Sequence, residues 1–155
     1  MSTTGNTTVP PSGHHLLVEL RNDGIYFASF DPLEDDTYQS CSVSFTAKNR
    51  PLCENVKNCV YENPQLLQEY DRTYILVDTS HFTFVPEELE KEEENRLPYY
   101  DFCFSGHDDH VIENHLVLNH AYLLFGVEHE LYTFLCRTFS NPIILHPLAS
   151  LCEYF

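Results

Sequence analysis

Three extended runs at the front of the chain, joined by short turns, decide most of what it can become. His14 to Leu20 and Ile25 to Asp31 are strand-like stretches separated by Arg21, Asn22, Asp23 and Gly24. Asn and Asp-Gly accept the positive φ angles of tight turns, so these two runs are expected to form a hairpin. Tyr38 to Ala47 then alternates, with Cys41, Val43 and Phe45 on one face and Ser40, Ser42 and Ser44 on the other. That period of two marks a half-buried third strand.

From Pro51 the period changes. Leu52, Val56, Cys59 and Val60 fall at helical spacing behind a proline suited to a helix start, and Pro64 interrupts or restarts the helix. TYILVD, Thr73 to Asp78, is a further strand, and Phe82 to Val85 a short one beyond a tight turn. Pro86 is expected to open an acidic helix in which six glutamates fall between Glu87 and Glu94. Acids there favour a helix N-terminus and give a solvated outer face. A strand from Val111 to Leu118, the buried strand Ala121 to Val127, and an amphipathic helix striped by Leu131, Phe134, Leu135 and Phe139 follow. Asn141-Pro142 stops that helix, Ile143 to Leu145 is a short strand, and Pro147 to Phe155 a closing helix. The order is β-β-β-α-β, an insert of about residues 80–119, then β-α-β-α.

Charge narrows the function. Eight Lys and Arg against 24 Asp and Glu leave the 155-residue chain at a net charge of −16. Binding to a nucleic-acid backbone or an anionic membrane surface is not expected, because both need clustered positive charge. Residues 1–13 lack a basic and apolar export signal and read as a disordered leader, leaving 14–155 as one domain. No run of 18 apolar residues is present to span a membrane, and a cytoplasmic, reducing setting is expected for the six cysteines, read as thiols.

The chemistry is sparse. Neither a phosphate-binding glycine motif nor a GxSxG elbow occurs, and each Cys sits in an apolar or β-like pattern. HDDHVIENH, with His107, His110, Glu113 and His115 as candidate metal ligands, has the residue types of a zinc or iron site but not the spacing of HExxH or HxxEH. On a strand, Glu113 and His115 would share a face. Glu19 and Asp78 stand near the places where a two-metal nuclease carries carboxylates, although eight cations make a poor groove for a polyanion.

The element order resembles the ribonuclease H-like unit from which actin-like proteins are built in two copies. More closely, TYILVDTSHFTFVPEEL, AYLLFGVEHELYTFLCRTF and NPIILHPLASL resemble an uncharacterised bacterial family of domains of unknown function. That family is similar to the actin-like proteins of type IV pilus and type II secretion assembly. The resemblance covers residues 14–155 and implies an α/β fold, a ribonuclease H-like β-β-β-α-β-α-β-α unit with an inserted subdomain. It also implies a place for nucleotide. Asp23 and Gly24 match an actin-like phosphate loop in type, but no Ser, Thr or Lys follows, and the actin-like site lies between two halves. The expectation is therefore a non-catalytic cytosolic interaction or assembly module without a cofactor, acting through a protein partner or self-association. A degenerate Mg-ATP-binding protein using Asp23 and Gly24 is the first alternative, and a metal-dependent hydrolase using the His107–His115 cluster the second.

Overall fold

A computed structural model describes residues 13–47, 49–89 and 96–154; all of the expected leader but Gly13 and most of the expected acidic helix lie outside them. Strands β1 (His15–Leu20), β2 (Gly24–Phe30) and β3 (Gln39–Ser44) form an antiparallel meander. Helix α1 (Leu52–Glu62) then crosses over to β4 (Arg72–Val77), which runs parallel to β1. β8 (Ile143–Leu145) is parallel to β4, giving a five-stranded sheet in the order β3-β2-β1-β4-β8.

The alternation in β1 explains the register. Leu16, Val18 and Leu20 face inward with Ile25, Phe27, Ile75 and Val77, and α1 and α3 (His129–Thr138) cover them with Val56, Val60, Leu131 and Leu135. Gly24 differs from its expected role. It does not adopt a positive φ; a Cβ there would instead lie 2.3 Å from the Val43 carbonyl oxygen of β3. The glycine lets two backbones approach.

A second, antiparallel sheet in the order β5-β7-β6 is built from β5 (Phe82–Pro86), β6 (Asp109–Leu116) and β7 (Ala121–Glu128). Ala121–Glu128, which follows the expected insert of about residues 80–119, pairs with both β5 and β6. Pro86 does not start a helix: it is the last residue of β5 and pairs with Ala121, and a 3-10 turn over Glu87–Leu89 follows. A short helix absent from the sequence reading, α2 (Leu97–Cys103), packs its buried Tyr100 on Val85 and Leu124. Phe125 and Val127 of β7 enter the main core, so both sheets share it. Helix α4 (Pro147–Tyr154) closes against the second sheet, with Ala149 packed on Leu116 and Leu123.

Candidate functional site

Parallel strands β1, β4 and β8 end at one edge of the five-stranded sheet, the place where open α/β sheets receive ligands. A cavity of 580 Å³ lies there, between that edge and the second sheet. The main sheet contributes Asn22 from the β1–β2 turn, Asp78, Thr79 and Ser80 beyond β4, and His146 beyond β8. The second sheet contributes His81, Asp109, Gly126 and Glu128. Among the described residues its lining has no Lys or Arg.

His146 fixes the floor. It is 2% exposed, its Nε2–H donates to the Thr79 carbonyl at 2.8 Å, and its Nδ1 accepts the Leu148 N–H at 3.1 Å. Both ring nitrogens are committed, which sets one tautomer and ties the loop after β4 to the start of α4. The His146 N–H itself donates to Asn114 Oδ1 at 3.0 Å.

Asp109 anchors the opposite wall. Its N–H donates to His107 Nδ1 at 3.1 Å, and its Oδ2 accepts the Tyr100 hydroxyl at 3.0 Å and faces His81 Nδ1 at 3.4 Å. Burial, reinforced by the hydrogen bond to Asp109, pushes the Tyr100 phenol well above its ordinary range, so it serves as a donor. Gly126 makes room for this pair: a Cβ would lie 2.0 Å from the Tyr100 hydroxyl and 2.5 Å from Asp109 Oδ2.

The residues singled out in the sequence take other places. Asp23 and Gly24 sit in the β1–β2 turn, where the Asp23 carbonyl accepts Phe45 N–H at 2.9 Å and the Gly24 carbonyl accepts Arg21 N–H at 3.0 Å. Of that turn, Asn22 is the residue that lines the cavity. Asp78 reaches it too, whereas Glu19 pairs with Arg21 at 3.0 Å. His107 Nε2 meets Asp101 at 2.5 Å. His110 stacks on Tyr132 of α3 at 3.6 Å, and burial, helped by His129, lowers its pKa. Glu113 is held by both Nε and Nη2 of Arg96, and His115 meets Glu87 at 2.6 Å while stacking on Tyr122. These four side chains turn to four different partners. Among the described residues, no group of three or more His, Cys, Asp or Glu could hold a metal ion.

No local signal in the sequence links His81 to Asp109, 28 positions away. All six cysteines are free thiols, with the buried Cys53 and Cys59 held above the usual thiol pKa by desolvation. No helix of the described residues is long and apolar enough to cross a membrane.

The family described as "Protein of unknown function (DUF3822)" matches residues 5–155. No curated protein matches the chain. A crystal structure from Bacteroides thetaiotaomicron, of a protein with an actin-like ATPase fold and unknown function, is similar with a TM-score of 0.83 and 27% identity. The similarity covers 93% of this chain and 56% of that one, so the chain spans little more than half the neighbour's length. The mixed α/β architecture is thus that of the actin-like, ribonuclease H-like fold.

Proposed function

We propose that this chain, which belongs to the DUF3822 family, is a non-catalytic interaction or assembly module whose cleft does not take nucleotide. The observation that carries this reading is the cleft's chemistry. Among the described residues, Asp78, Asp109 and Glu128 line it without a Lys or Arg to neutralise a nucleotide's phosphates. A triphosphate there would meet like charge on a chain of net charge −16. The β1–β2 turn supports the same reading, because Arg21 N–H is spent inside a tight turn that leaves few amides to cradle an anion.

Two surfaces suit assembly. The sheet face away from α1 and α3 carries Leu17, Tyr26, Tyr74 and Leu76 half-buried and Ile143 exposed. Beside it, β3 is an edge strand with neither Pro nor a charged residue in Gln39–Ser44. Exposed edges of this kind pair readily with another chain. A cytosolic setting fits six free thiols.

A thermal melt with and without about 1 mM Mg-ATP tests the reading, because a site with a dissociation constant near 10 μM would add about 2.7 kcal/mol. We expect no shift, together with sedimentation of the purified chain above monomer mass or with a partner. A shift of roughly 5–10 °C, abolished by Asp23→Ala, would establish the second reading, a degenerate actin-like nucleotide binder. That alternative is favoured by the position of the cleft beside Asn22 and by the neighbour's fold.

A further inference from the structure

Neighbours from outside its own strand fix Asp109 on the cavity wall. Tyr100 donates to the carboxylate, His107 Nδ1 fixes the Asp109 backbone N–H, Gly126 leaves the space, and His81 stacks on Phe104 at 4.8 Å with an interplanar angle of 22°. Yet the Asp109 side chain remains 23% exposed and that of His81 53% exposed on the cavity wall. Nδ1 faces the Asp109 carboxylate, which can only accept, so the neutral ring with its proton on Nδ1 presents Nε2 as an acceptor. The wall therefore offers acceptors, and Asp78 adds another on the same cavity.

We propose that the His81–Asp109 pair forms, with Asp78, a binding site for an alkylammonium or guanidinium group. Such a group donates several hydrogen bonds and carries the charge that this lining complements. The inference rests on the reading that the cleft takes no nucleotide, and it names the chemistry that the cleft takes instead. The cation has two sources, a free small amine or the Lys or Arg side chain of a partner segment.

Amide chemical shifts of the full chain, at about 150 mM salt to screen diffuse attraction, provide the test. The probes are ethylguanidinium, butylammonium, and capped Gly-Arg-Gly and Gly-Lys-Gly peptides. Saturable shifts centred on Asp109 and Gly126 are expected. Asp109→Asn, which still accepts the Tyr100 hydroxyl, and His81→Gln should each weaken binding about tenfold, and the remote Glu62→Gln should leave it unchanged. Peptides binding about tenfold tighter than the free cations identify a partner side chain; equal binding identifies a small ligand. Shifts that do not saturate, or binding that survives both Asp109→Asn and His81→Gln, overturn the proposal. Mg-ATP is titrated alongside. Binding of Mg-ATP would instead remove the premise, whereas binding of neither nucleotide nor cation would remove this inference alone.

Discussion

Two glycines show how a single missing methyl group sets local geometry without any unusual φ. Gly24 admits the backbone of β3, and Gly126 admits a tyrosine hydroxyl and a carboxylate from outside its own strand. The second case is easily tested, because its obstacle is partly a removable atom. Gly126→Ala forces a Cβ to within 2.0 Å of the Tyr100 hydroxyl, and Tyr100 is fully buried and cannot swing away. Overpacking of this kind costs about 2 kcal/mol, or roughly 4–8 °C in Tm for a chain of this size. In the Tyr100→Phe background the nearest clash disappears while the one with Asp109 persists at 2.5 Å, so Gly126→Ala should cost clearly less there. A double-mutant cycle by chemical denaturation reads the coupling. Equal costs in the two backgrounds would mean that the hydroxyl does not define the space at Gly126.

At the scale of elements, the two sheets are joined by a polar clamp as well as by shared core. Asn114 of β6 donates to the Ile144 carbonyl of β8 at 3.1 Å and accepts the His146 N–H at 3.0 Å, and it is 7% exposed. Asn114→Ala leaves two buried backbone groups unsatisfied and is expected to cost about 2–4 kcal/mol. Hydrogen exchange should show the His146 amide losing protection before the amides at the centre of β1. Protection unchanged at His146 would mean that the clamp is not what holds β8 to β6. Such a link is invisible in sequence, and the same reason explains which elements were legible. β1 and β4 announce themselves through period-two burial, and α1 and α3 through helical spacing, because each pattern is local. AYLLFGV was legible as a strand, but its pattern names a buried face and not a partner, so its place beside β5 and β6 was hidden. α2 was missed because Leu97–Cys103 is short and takes its shape from Tyr100 packing on Val85 and Leu124. Pro86 misled through its acidic neighbours. The edge position of β5, where Pro lacks no essential donor, is set by β7. The candidate site was least legible, since Asp78 and His81 of the β4–β5 loop meet Asp109 of β6 and His146 beyond β8 only once both sheets exist.

For the whole molecule, charge is the property that reaches furthest. With 24 acids against eight Lys and Arg, at least 16 carboxylates lack a Lys or Arg of their own. The pairs seen among the described residues, Arg21 with Glu19, Arg50 with Glu54, Lys57 with Glu130 and Arg96 with Glu113, do not change that imbalance. Largely exposed pairs are each worth about 0–1 kcal/mol, so repulsion among the remaining carboxylates is expected to outweigh them. Folding draws these like charges together, and salt screens them over a length that falls from about 30 Å at 0.01 M to about 10 Å at 0.1 M. The chain should therefore gain stability with salt, its Tm rising by several degrees between low and moderate sodium chloride and flattening beyond. A calorimetric series in sodium chloride checks this, with sucrose as a control for general exclusion effects. A Tm that fell with salt would mean that the ion pairs, Arg96–Glu113 foremost, dominate the balance. The same screening separates two kinds of cation binding. Diffuse attraction to a chain of net charge −16 fades as salt rises, whereas a group seated against His81 and Asp109 keeps the short-range part of its affinity. Salt dependence thus distinguishes a cleft with a defined ligand from an acidic surface that attracts any cation.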